Sequence, residues 1–171
     1  ENKTGNRIIL EGENYIKETV IYNDVVEIKP GTIFNIKNGK SIIFKGKLIA
    51  LGSLEKPIIF KKDDDKEWGT VALQGERTNN SVLSHVIFDG GSGDIIDNIK
   101  YTGALSIHDT KNISLRNIIM KDNLNFDDML HIVYVDNIIL EKIFIENAVM
   151  DAIDIDMSQN VVINNVETKQ S

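Results

Sequence analysis

Short apolar-x-apolar runs, separated by bends rich in Asn, Asp and Gly, recur along the chain. Alternation with a period of two is the signature of extended strands, because successive side chains point to opposite faces. The runs also repeat at long range. Leu105-Ser-Ile107 with Asn112-Ile-Ser-Leu115, Leu130-His-Ile132 with Asn137-Ile-Ile-Leu140, and Ile153-Asp-Ile155 with Asn160-Val-Val-Ile163 follow one another at steps of 25 and 23 residues. Carried towards the N-terminus, the first column reads Val26, Leu48, Val71, Leu105, Leu130 and Ile153. Its companion is Ile28, Ala50, Leu73, Ile107, Ile132 and Ile155, and a third column is Ile36, Ile58, Leu83, Leu115, Leu140 and Ile163. A unit of about 22 to 25 residues with two or three short strands cannot bury an apolar face alone, so neighbouring units must stack to close a core. The expectation is an all-β, single-domain solenoid, a parallel β-helix of about six coils. The leucine-rich repeat has a similar length, but its L-x-x-L-x-L-x-x-N signature is not met.

The bends carry information too. Asn112, Asn137 and Asn160 fall at one corner, where Asn tolerates a left-handed backbone and its amide can bond the coil above. The long step of 34 residues between Leu73 and Ile107 holds Asp89-Gly-Gly-Ser-Gly-Asp-Ile-Ile-Asp-Asn-Ile-Lys-Tyr-Thr-Gly103, read as a loop inserted at 89–103. Residues 1–25 are read as an N-terminal cap to a domain covering 1–171. An uncovered coil edge after Val166 implies a fragment of a longer β-helix, or self-association through that edge.

Composition narrows the function classes. Twenty-eight isoleucines and 12 valines favour pleated strands, since β-branched side chains are stiff at χ1. A net charge of −7 and only three arginines argue against a nucleic-acid partner, which needs clustered cations. There is no cysteine, and no apolar run approaches the length of a transmembrane helix. An extracellular or cell-surface location is expected, with a signal peptide already removed.

The candidate chemistry gathers in the last coils. Outward positions of two adjacent strands, with the residues just before them, place Asp127, Asp128, Asp151, Asp154, Asp156 and His131 on one face. Carboxylates stacked about 4.8 Å apart repel unless a cation or a shared proton intervenes. Calcium held by Asp128, Asp151, Asp154 and Asp156 is one expectation, as a hard ion that takes several oxygens. A catalytic pair is another, with Asp128 and Asp154 as acid and base and His131 as tuning group, at the roughly 6.5 to 9.5 Å of an inverting glycosidase. The plainest alternative is a solvated acidic face. Trp68 and Tyr101 are candidate sugar-stacking platforms, with His108 and Asp127 as flanking contacts. His85 and His108 do not share the outward column of His131. Gly90-Gly-Ser-Gly93-Asp94 resembles half of a G-G-x-G-x-D calcium repeat but has Ile95 where the repeat has Asp, and Lys61–Glu67 is a solvated charge run.

Ile28-Lys-Pro-Gly-Thr-Ile33, Gly46-Lys-Leu-Ile-Ala-Leu-Gly52, Pro57-Ile-Ile-Phe60 and Trp68-Gly69 resemble the opening coils of bacterial right-handed parallel β-helix proteins, the pectate-lyase-like superfamily. Asp127-Asp128-Met-Leu-His131 and Asp151-Ala-Ile-Asp154-Ile-Asp156 look like the β-helix regions of spore-coat-kinase-like (CotH-type) surface proteins. The resemblance implies a right-handed winding and a secreted or surface protein that handles polysaccharide. Of the polygalacturonase motifs only an acidic pair, Asp127-Asp128, is present, and His131 is followed by Ile132 rather than Gly. The leading expectation is therefore a module that binds carbohydrate or a surface protein through the acidic face, with calcium. A polysaccharide lyase or glycoside hydrolase using that face is one alternative, and an architectural spacer is the other.

Overall fold

The computed structural model describes residues 6–123, 125 and 127–170. In it the chain passes through three strands and then starts again one layer on. β1 (Arg7–Leu10), β2 (Glu13–Ile16) and β3 (Val20–Tyr22) make the first round. β4 (Val25–Ile28), β5 (Ile33–Ile36) and β6 (Ile42–Phe44) make the second, and β7 (Leu48–Leu51), β8 (Ile58–Lys62) and β9 (Val71–Gln74) the third. β10 (Val82–Asp89) is followed by a separate antiparallel hairpin, β11 (Asp94–Ile96) and β12 (Ile99–Tyr101). β13 (Gly103–Lys121) and β14 (Asp128–Glu146) then run through whole rounds, followed by β15 (Asp151–Asp156) and β16 (Gln159–Lys169). Outside the hairpin, strands join one 14-stranded, curled sheet in which the pairings are parallel.

The long strands are not straight. Asp109, Asn112 and Asn117 break β13 with positive φ, and Tyr134, Asn137 and Lys142 break β14 at the matching places. A single left-handed residue turns the chain through a corner, and Asn does so with less strain than Tyr or Lys. The Asn corner is stitched across layers. Asn137 Nδ2 donates to Asn112 Oδ1 at 2.8 Å, and Asn112 Nδ2 donates to Asn80 Oδ1 at 3.1 Å. Asn160 keeps the same left-handed backbone (φ 54°), but its amide donates to Asp136 instead.

Three inward ladders build the core. One runs Ile28, Ala50, Leu83, Leu115, Leu140 and Ile163. The second runs Phe34, Phe60, Phe88, Met120 and Ile145, and the third Val20, Ile42, Val71, Leu105, Leu130 and Ile153. The columns read from the sequence match from Val71, Leu73 and Leu83 onwards, and earlier for Val26 with Leu48 and Ile28 with Ala50; between those two stretches they cross between ladders. Val26 and Leu48 belong to the first ladder, whereas Val71 belongs to the third. Ala50 pairs with Leu83 rather than Leu73, and Ile58 pairs with Val86. The physical reason is that moving a strand from one face to the next preserves its inward-outward alternation, so spacing alone cannot name the face. Residues 7–22, assigned to a cap, already run as β1 to β3 in register with β4 to β6.

The hairpin within 89–103 sets the surface around the site. Ile96, Ile99 and Tyr101 cover Ile43 and Ala72, which face outward from the third ladder yet are buried. Asp94 fastens the hairpin by accepting a hydrogen bond from Ser41 Oγ at 2.6 Å. That use makes Asp94 an anchor of the hairpin to the sheet.

Candidate functional site

The outward neighbours along the third ladder are Ile43, Ala72, Ser106, His131 and Asp154, in register across successive strands. The hairpin roofs the first two. Past its edge, His131 on β14 lies directly beside Asp154 on β15. Asp128, three residues before His131 on the same strand, pairs in register with Gly103 on one side and Asp151 on the other. One ligand atom each from Asp128, His131 and Asp154 lie within 4.8 Å of one another. Gly103 makes the close approach possible. A Cβ there would meet Leu105 O at 2.6 Å and His131 N at 2.8 Å, both backbone atoms that cannot swing aside.

Burial shapes the charges. Asp128 is only 2% exposed, and its pKa is raised, first by that burial and then by the neighbouring Asp127 and Asp154 carboxylates. The Thr102 hydroxyl and His131 pull it the other way. His108 sits one diagonal from His131, with its Nε2 3.1 Å from His131 Nδ1, so one ring donates and the other accepts. Burial, helped by His131, pushes His108 down to about 4, against the pull of Asp109, and it is neutral near pH 7. Tyr101 stacks on His108 with ring centroids 5.0 Å apart, and its hydroxyl donates to Gln74 Oε1. Gln74 Nε2 in turn donates to Asp109 Oδ2 at 2.9 Å. The two imidazoles are thus held by a chain of packed and bonded groups reaching back under the hairpin.

The chain matches no protein-family model, no curated protein and no solved structure. Its chemistry therefore has to be read from the residues themselves.

Of the residues singled out by sequence, Asp128, His131 and Asp154 converge. Asp127 is half-buried beside them, and its carbonyl accepts the Asp151 N–H at 3.3 Å. Asp151 and Asp156 point into solvent and stand outside the three-residue cluster. His108, placed by its column apart from His131, touches it, because adjacent strands bring residues two apart into diagonal contact. Trp68 and Tyr101 are each 1% exposed and offer no ring face to a sugar. Trp68 packs under Gly91, with its Nε1 donating to Asp89 O at 2.8 Å, and Tyr101 packs from the hairpin onto Ile43 and Ala72 of the sheet. Thr102 and Gly103, which sequence reasoning passed over, shape the site from the end of the inserted loop. The signal available was the Thr-Gly pair at the junction of the loop and β13.

Chemically the cluster combines two carboxyls and an imidazole, with one carboxyl held towards its protonated form. One oxygen each of Asp128 and Asp154 lie within 4.8 Å of each other, close enough for each carboxyl to influence the other's protonation. Among the described residues, no helix is long and apolar enough to cross a membrane.

Proposed function

We propose that the chain is a right-handed parallel β-helix module of a secreted or surface protein, and that it binds carbohydrate through the open part of the third ladder. The observation carrying this reading is the convergence of Asp128, His131 and Asp154 beside a hairpin that walls off one end of the same surface. Carboxylates accept hydrogen bonds from sugar hydroxyls, and an imidazole can donate or accept, so a row one strand spacing apart suits an extended neutral glycan. Parallel stacking in register from Arg7 to Lys169 supports the β-helix assignment. A surface protein is the second class of partner compatible with an acidic face, through its own Lys and Arg.

One observation favours a hydrolytic reading of the same face. A buried, raised-pKa Asp128 beside a half-exposed Asp154 is the pairing of unlike carboxyls that acid-base catalysis requires. A panel of neutral and acidic oligosaccharides separates the readings. Binding by the parent chain, weakened about tenfold or more in Asp154→Asn and His131→Gln, is the expected result. Reducing ends released by the parent and not by Asp154→Asn would favour hydrolysis. If the parent binds no glycan, or the variants bind as the parent does, the proposal fails and the architectural spacer stands.

A further inference from the structure

We propose that Asp128, His131 and Asp154 form a binding site for a single divalent transition-metal ion of the Zn2+ and Co2+ class. The inference does not depend on the glycan reading. The donor set selects the class of ion. Calcium takes oxygen ligands almost exclusively, whereas imidazole suits first-row metals that also accept carboxylates. The exposed aspartates that would complete an all-oxygen calcium shell, Asp151 and Asp156, lie outside the cluster, and a histidine stands inside it.

The geometry is close to what such an ion needs. Ligand atoms at about 2.0 to 2.2 Å from a common metal lie roughly 3 to 3.5 Å from one another. The three atoms here are within 4.8 Å before any ion draws them in. Asp128 and His131 belong to one strand and Asp154 to its in-register neighbour, so side-chain rotation can close the gap without moving backbone. Three protein ligands leave positions open for water or a bound molecule, the pattern of catalytic rather than purely structural metal sites.

Two independent features point into the same place. Thr102 is 8% exposed, and its Oγ1 is buried against the Asp128 carboxyl without a hydrogen bond of ordinary geometry. A buried hydroxyl in that position is expected to have a partner, and a metal-bound water or a reoriented Asp128 would supply one. The other feature is the support behind His131. His108 Nε2 lies 3.1 Å from Nδ1 of His131, and Tyr101, itself bonded to Gln74, stacks on His108. Such outer contacts fix the tautomer and the ring plane of a ligating histidine.

The test uses the full chain after chelator treatment. Co2+ alone is titrated while its visible absorption is followed, and Zn2+ alone and Ca2+ alone are titrated calorimetrically. The expected result is one Co2+ and one Zn2+ per chain, with affinity reduced about tenfold or more in His131→Gln and in Asp154→Asn. Asp151→Asn with Asp156→Asn should leave Co2+ binding within about twofold. Asp154 is half-buried on the outer side of the sheet, so Asp154→Asn is expected to keep the fold, which circular dichroism checks. Absence of a visible Co2+ band in the parent overturns the proposal. So does Co2+ binding that survives both ligand substitutions, or Ca2+ binding tighter than Zn2+ that needs Asp151 and Asp156. A parent that takes up Co2+ but binds no glycan refutes the carbohydrate reading alone.

Discussion

Phe60→Ala probes the winding on which the site depends. Phe60 is fully buried, with Phe34 stacked on one face at 4.7 Å and 6° and Phe88 on the other at 5.1 Å and 4°. Truncating a buried Phe costs about 3 to 5 kcal/mol, depending on how far the surroundings collapse into the cavity. Here collapse is restricted, because the layers are held apart by ladder bonds such as Ile59 N to Thr32 O at 2.9 Å. Two aromatic contacts of about 0.5 to 1.5 kcal/mol each are lost as well, which places the expected cost near the upper end, about 4 to 5 kcal/mol. Phe60→Leu keeps most of the volume and should cost about 1 to 2 kcal/mol. Urea unfolding followed by circular dichroism measures both. The sharper readout is a double-mutant cycle. Phe60→Ala and Phe88→Ala should couple by about 0.5 kcal/mol or more, since the rings share one cavity. In the register suggested by sequence spacing alone, which sets Ile58 against Leu83, Phe60 falls opposite His85 and no coupling is expected. Additive costs, or a Phe60→Ala penalty below about 2 kcal/mol, would refute the ladder assignment.

Gly103→Ala should destabilise the chain by about 1 to 3 kcal/mol and disturb the contact between His108 and His131, because the added methyl meets backbone at 2.6 and 2.8 Å. Thermal melts and the histidine NMR resonances report the two effects, and a variant that matches the parent in both contradicts the packing described. Tyr101 yields an alkaline signature. Burial raises it from 10.0 to about 12, so the unfolded chain loses this proton first, and stability is intact below about pH 10 and declines as pH rises towards 12. Tyr101→Phe should lose less stability over that interval. Equal losses in the two proteins, measured as melting temperature against pH, would count against the buried phenol.

Alternation and a roughly 23-residue period are local properties written in residue order, and they suffice for an all-β chain of stacked strands and for the inward residues of the last rounds. Leu105, Leu130 and Ile153 keep their column because nothing is inserted between those turns. The corner asparagines are legible for the same reason. Earlier in the chain the charge run after Phe60 and the loop at 89–103 change the length of each round, and a strand can change faces without disturbing its alternation. Only pairing across layers settled that Ala50 stacks on Leu83 and that the three phenylalanines share a ladder. The site divides along the same line. Outward acidic residues near His131 could be read from spacing, because charge and period-two orientation are both sequence properties. The burial of Asp128, the folding of Trp68 and Tyr101 into the interior, and the diagonal meeting of His108 with His131 arise from where the hairpin lies on the sheet, a long-range packing choice that no local pattern encodes.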